Sequence, residues 1–180
     1  MINNKVEYII WNKNLKLVDC IEKLDFQSVD FIITCGWGYK VPKEIIELPK
    51  SSALNCHSSY LPDYKGGSVY QMQWANAEEY GGATIHFLTD KFDSGNIIAQ
   101  ESFKIKLTDS PLDILTKASE LTAVLIREAL LLLNADYIGI ENKGGRYFLK
   151  TNKINLYLHR IVNFIYRLFK SDKRWLTKWK

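Results

Sequence analysis

Two short runs of β-forming residues, 5–11 (KVEYIIW) and 29–34 (VDFIIT), bracket a stretch in which Leu15, Leu17, Val18, Ile21 and Leu24 recur at helical spacing. Strand, helix and strand in about thirty residues predict a βαβ unit, which implies parallel pairing and a right-handed crossover. The second run is largely apolar and reads by its composition as a strand buried on both faces. Ligands of such sheets bind beyond the carboxyl ends of the strands, which is where Cys35-Gly36-Trp37-Gly38 follows. Glycine lets backbone approach a ligand closely, and a plain tight turn accounts for the same residues equally well.

The remaining pattern extends this frame. Residues 41–46 predict a short helix with Pro42 in its first turn, stopped by Pro49. A third strand is expected over 53–57, a helix over 69–78, a turn at Tyr80-Gly81-Gly82, and strands over 83–88 and 97–106. Ser110 and Pro111 open a strongly amphipathic helix that runs to about Leu133. A small strand is expected at 146–149. The expected architecture is α/β, a mostly parallel Rossmann-like sheet with helices on both faces, shortened at its N-terminal edge. It comprises a domain over 1–150 and a basic amphipathic helical tail over 151–180.

Charge bears on one class of partner. The net charge of +4 comes largely from the tail, where, counting from Lys150, nine Lys and Arg face Asp172 alone. The body before it is slightly acidic, so nucleic acid is not an expected partner. The tail reads as a helix packed on its own domain or on a second subunit. Its sharper reading is contact with a membrane surface, which Trp175 and Trp179 among basic residues suit. Cys20, Cys35 and Cys56 form no CxxC pair and read as free thiols of a reducing compartment. With no secretory signal and no membrane-spanning run, a cytoplasmic location is expected.

The candidate chemistry lies in residues 54–100. Asn55 and His57 stand two apart, so an extended strand turns both side chains to one face and turns Cys56 to the other. Imidazole accepts a proton near neutral pH. A carboxylate from Asp93, in the turn Phe92-Asp93-Ser94-Gly95, raises its basicity. The Asn55 amide can donate to an oxygen that gains negative charge. Base, carboxylate and oxyanion donor are the parts for acyl transfer to an amine or to water. Ser58, Ser59 and Ser94 lack the strand-turn-helix setting of an activated nucleophile. Read singly, each of the three residues reads first as structural, and their joint placement at adjoining strand ends weighs against that; His86 reads as a residue that packs or hydrogen-bonds beside the site.

The ordered segments Asn55-Cys56-His57, Ser59-Tyr60-Leu61-Pro62-Asp63-Tyr64-Lys65-Gly66, Gly82-Ala83-Thr84-Ile85-His86 and Asp93-Ser94-Gly95 resemble the formyltransferases that use 10-formyltetrahydrofolate. The likeness runs from about Asp30 to Phe103. It implies that Asn55, His57 and Asp93 are a catalytic trio. His57 would transfer the proton of the amine, Asn55 would polarise the formyl oxygen and stabilise the tetrahedral intermediate, and Asp93 would orient His57 or a bridging water. It also implies a pterin site on Gly36, Trp37, Gly38, Tyr39 and Val41 and on Leu88, Thr89, Asp90 and Asp93.

Members of that family carry a further βαβ portion before the segment that begins here at Lys5, and it helps to bind the acceptor. Its absence leaves a sheet edge open, so a homodimer through that edge or the tail is expected. Lys65 stands where arginine is common, which keeps the charge and loses the forked geometry. The expected partners are folate and an amine acceptor, foremost a nucleotide-linked amino sugar. Formyltetrahydrofolate hydrolysis and a non-catalytic folate-binding or docking role are the alternatives.

Overall fold

The computed structural model describes residues 29–149 and 152–169. The elements expected over 5–11 and 15–24, Cys20, and the tail from 170 with Trp175 and Trp179 lie outside the described residues. Within them the chain runs β1 (Phe31–Cys35), α1 (Lys43–Ile46), β2 (Ser52–His57), β3 (Lys65–Gly66), α2 (Val69–Ala75), β4 (Tyr80–Phe87), β5 (Ile97–Lys104), α3 (Pro111–Asn134), β6 (Tyr147–Phe148) and α4 (Lys153–Phe169).

The main sheet has the order β1-β2-β4-β5. β1 and β2 are parallel, with Thr34 opposite Asn55, whereas β2–β4 and β4–β5 are antiparallel. The described sheet is therefore mixed where the sequence predicted a mostly parallel one. The seven residues of α2 span about 10 Å, and the six of β2 about 20 Å. The chain re-enters the sheet from the end at which β2 stopped, with His57 opposite Thr84.

Three further expectations are corrected. Gly81 and Gly82 belong to β4 rather than to a turn. They are small because neighbours press on them: a Cβ on Gly82 would lie 2.8 Å from the carbonyl oxygen of Glu101 and from Cβ of Tyr60. β1 is half-buried rather than buried on both faces, since among the described residues it ends the sheet. The helix expected over 69–78 stops at Ala75.

Helices cover both faces of the sheet. On one, Leu54, Cys56, Ile85 and Ile98 pack against Leu125 and Ala129 of α3. That helix opens with the predicted cap, in which Ser110 and Asp113 bond each other's backbone N–H. On the other, Ile32 and Leu88 meet Val41 and Ile45 around α1. Alternation along β1 turns Ile32 and Ile33 to these opposite sides.

α4 packs on its own domain, and it does so largely through polar atoms. Leu156 enters a cluster with Tyr64, Val69 and Met72. Arg160 donates to the carbonyl oxygens of Trp74 at 2.9 Å and Leu107 at 2.6 Å. Asn163 donates to that of Ala75, and Arg167 to those of Ala77 and Glu78. The carbonyls at the end of α2, which have no partner within the helix, are satisfied by these cations and this amide. Among the described residues no helix is long and apolar enough to cross a membrane.

Candidate active site

The structure brings Asn55, His57 and Asp93 to one point and adds His86. Parallel pairing sets Thr34 beside Asn55. Antiparallel pairing sets His86 opposite it. The loop after β4 then folds back so that Asp93 faces all of them. Oδ1 of Asp93 lies 3.4 Å from Nδ1 of His57, 3.4 Å from Nδ2 of Asn55 and 3.5 Å from Nε2 of His86.

The proton positions follow from the fixed acceptors. His57 Nε2 is 2.7 Å from the carbonyl oxygen of Tyr64, which can only accept, so Nε2 carries a proton. In the neutral ring the lone pair is then on Nδ1, the nitrogen that faces Asp93. Tyr64, rather than Asp93, fixes the tautomer. His86 Nδ1 is likewise held by the carbonyl oxygen of Phe87 at 2.8 Å, so its neutral Nε2 accepts from Asn55 Nδ2 at 3.1 Å. Thr34 Oγ1 donates to Asn55 Oδ1 at 2.7 Å. The amide is thereby oriented with its oxygen away from the site and its NH2 into it.

Burial governs the charges. His57 lies below its ordinary value because burial penalises the imidazolium, a penalty that Asp93 and the Tyr64 carbonyl offset only in part. Burial pushes Asp93 the other way. Its contacts with His86, with His57 and with the N–H of Gly66 outweigh that effect and hold the carboxyl below the usual carboxylate range. The Gly66 N–H donates to Asp93 Oδ2 at 2.7 Å. Its residue has φ +101°, and a Cβ there would run into the carbonyl oxygen of Phe148. Asp93 itself has φ +48° and Tyr64 φ +61°, a left-handed backbone that costs a residue with a Cβ about 1–2 kcal/mol. Asn142 braces the Asp93 turn by donating to the carbonyl oxygens of Asp93 at 2.9 Å and Gly95 at 3.1 Å.

The residues expected to hold a pterin divide. Trp37, Val41 and Leu88, far apart in sequence, meet in one apolar cluster beyond the end of β1. Tyr39 stands half in solvent with its ring centroid 5.9 Å from that of Trp37, edge to face. Gly36, with φ +63°, and Gly38 have open space where a Cβ would stand. Thr89 and Asp90 lie in the returning loop. There Thr89 bonds Lys91 and Ser94, and Asp90 is exposed. A cleft of about 660 Å³ opens beside this loop, lined by Ser52, Phe87, Thr89, Ser94 and Asn96; neither Asn55 nor His57 lines it.

Cys56 points into the core among Leu54 and Ile85, as its alternation with Asn55 and His57 predicts. Its Sγ is 3.1 Å from that of Cys35. That contact holds the Cys35 thiol down at about 7 against the opposing effect of burial. Contact with Cys35 together with burial pushes Cys56 up. Ser59 donates to the carbonyls of Asp63 and Tyr64 and shapes the loop. Sequence reasoning missed Thr34, the Tyr64 carbonyl, the Gly66 N–H and Asn142. Tyr64 and Gly66 stand in the recognised loop pattern, which does not show what their backbone groups bond; Thr34 and Asn142 carry no motif and act through register and through contacts over long chain separations.

A sequence profile for the family described as formyl transferase matches residues 5–130. The chain is 37% identical over 110 residues to methionyl-tRNA formyltransferase of Staphylococcus aureus, covering 61% of this chain and 35% of that protein. It thus spans about a third of the length of this relative. The crystal structure of the formyltransferase PseJ from Anoxybacillus kamchatkensis, in complex with UDP-4,6-dideoxy-4-formamido-L-AltNAc and tetrahydrofolate, is 33% identical. It superposes with a TM-score of 0.62 over 73% of this chain and 70% of that one. Phosphoribosylglycinamide formyltransferase from Bacillus halodurans is 26% identical, with a TM-score of 0.57 over 66% and 62% of the two chains.

Proposed function

This chain belongs to the formyl transferase family, and on that premise we propose that it moves a formyl group from 10-formyltetrahydrofolate to a primary amine of a nucleotide-linked amino sugar. The observation that carries the reading is the convergence of Asn55, His57 and Asp93 on one point, with His57 Nδ1 and Asn55 Nδ2 each 3.4 Å from Asp93 Oδ1. The amino sugar is favoured by the likeness to a formyltransferase solved with such a product and tetrahydrofolate.

The folate supplies an activated formyl carbon. Trp37, Val41 and Leu88 offer its pterin an apolar wall, with Tyr39 half-exposed beside it. His57 takes the proton of the attacking amine on Nδ1, since Nε2–H is tied to Tyr64. Asp93 stabilises the imidazolium that results, and it is ionised for that task. The Asn55 NH2, aimed by Thr34, turns one N–H from its long contact with Asp93 toward the formyl oxygen as charge gathers there. Lys65, which donates to the carbonyl oxygen of Asn142 at 3.3 Å, is built into the loop that carries Gly66.

The test is incubation of the full chain with 10-formyltetrahydrofolate and a panel of amines, including amino-sugar nucleotides. Tetrahydrofolate release and the acceptor mass are followed. Formylation of a sugar amine supports the reading. Formate release that needs no amine replaces it with hydrolysis, and folate binding without turnover of any kind overturns catalysis.

A further inference from the structure

α4 presents its polar edge to the domain and its apolar face to solvent, the reverse of an ordinary surface helix. Of its apolar residues only Leu156 is buried. Arg160 is the other buried residue, and with Asn163 and Arg167 it bonds the carbonyls around the end of α2. On the opposite side Ile154, Leu158, Ile161, Ile165, Leu168 and Phe169 are each at least half exposed, Phe169 to 83%. At 100° per residue these six fall within an arc of about 100°, one continuous stripe along the helix. A stripe of that extent marks an interaction surface.

Charge decides what covers it. The seventeen residues of α4 include no Asp or Glu. In the sequence that follows, Lys170, Lys173, Arg174, Lys178 and Lys180 stand against Asp172 alone. A second copy laid on this face would set cationic segment against cationic segment, with Asp172 of each the one carboxylate among them. An anionic lipid surface answers both features, because it takes apolar side chains at the acyl boundary and attracts Lys and Arg through its headgroups. In sequence, Trp175 and Trp179 recur seven and eleven residues after Leu168, and tryptophan is enriched at bilayer interfaces.

We propose that the outer face of α4 docks the protein on the surface of an anionic membrane, lying in the interface without crossing it. The docked helix grips α2, which begins three residues after Gly66, the donor to Asp93 Oδ2. The candidate active site is thereby held one short helix away from the lipid.

The full chain would be sedimented with vesicles of phosphatidylcholine alone and with vesicles that also contain phosphatidylglycerol. Binding to the mixed vesicles that weakens as salt is raised is the expected result. The double variant Ile161→Asp, Ile165→Asp changes only exposed positions. Its melting temperature should be unchanged and its partitioning lower by about ten-fold or more, from the loss of two buried aliphatic side chains and the addition of repulsive charge. Failure of the wild type to bind either vesicle overturns the proposal. So does a wild-type dimer in analytical ultracentrifugation that the double variant converts to monomer, because the face is then covered by a second copy.

Discussion

Thr34 Oγ1 donates to Asn55 Oδ1 at 2.7 Å, across the parallel register that sets the two residues side by side. The hydroxyl decides which end of the amide enters the site, since an amide rotated by half a turn would offer an acceptor where a donor is required. Thr34→Val keeps the shape and removes the donor. A neutral hydrogen bond is worth about 1 kcal/mol, so turnover at saturating donor and acceptor should fall about five-fold while the melting temperature stays near wild type. Thr34→Ser should recover most of the rate, and equal rates for the valine and serine variants would remove Thr34 from any positioning role.

Asn55→Ala leaves the pocket but no N–H for the formyl oxygen. Loss of one such donor costs about 10²–10³ in turnover. Folate binding, measured by titration calorimetry with a stable analogue, should be little changed, because the apolar wall of Trp37, Val41 and Leu88 is elsewhere. A variant that keeps full turnover would dismiss Asn55 as the oxyanion donor.

Activity should rise with pH along a limb set by His57, and burial places that limb below the ordinary histidine range. The negative charge of Asp93 favours the imidazolium and so raises His57. Asp93→Asn therefore moves the limb to still lower pH while lowering the plateau. A pH–rate profile of the two proteins checks the sign, and a limb that moves toward higher pH refutes the assignment. The same groups make the fold acid-sensitive. Asp93, depressed in the folded state, contributes stability above the ordinary carboxylate range and loses it as pH falls through its lowered value.

Gly66→Ala puts a Cβ at φ +101° against the carbonyl oxygen of Phe148. The strand pair β3–β6 must open, or the N–H must leave Asp93. A loss of at least about 1–2 kcal/mol is expected, read by denaturant unfolding, together with a fall in turnover. Wild-type stability in this variant would show that the loop relaxes freely.

How much of this was legible in the sequence depends on the range of the interaction. The two-residue spacing of Asn55 and His57 and the exclusion of Cys56 follow from strand alternation. The cap at Ser110 is similarly local. Asp93 could be nominated because its turn follows a strand. Thr34 and the Tyr64 carbonyl could not, since both act through pairing or loop geometry that no single segment encodes. The parallel pairing extrapolated from one βαβ pattern holds for β1 and β2, and it gives way to antiparallel pairing where the short α2 returns the chain to the end it had left. Gly81 and Gly82 read as a turn because glycine signals flexibility and crowding with the same letter.

Asn142 bonds the carbonyls of Asp93 and Gly95, and Tyr147–Phe148 pair with Lys65–Gly66. Both lie beyond residue 130, where the match to the family profile ends. The recognisable motif is therefore translated well before the braces that hold it. A nascent chain that has emerged through Asn134 carries every residue of the trio and still lacks the pieces that set Asp93 against them. The candidate site is thus assembled only once β6 has been made, after the residues that name the family.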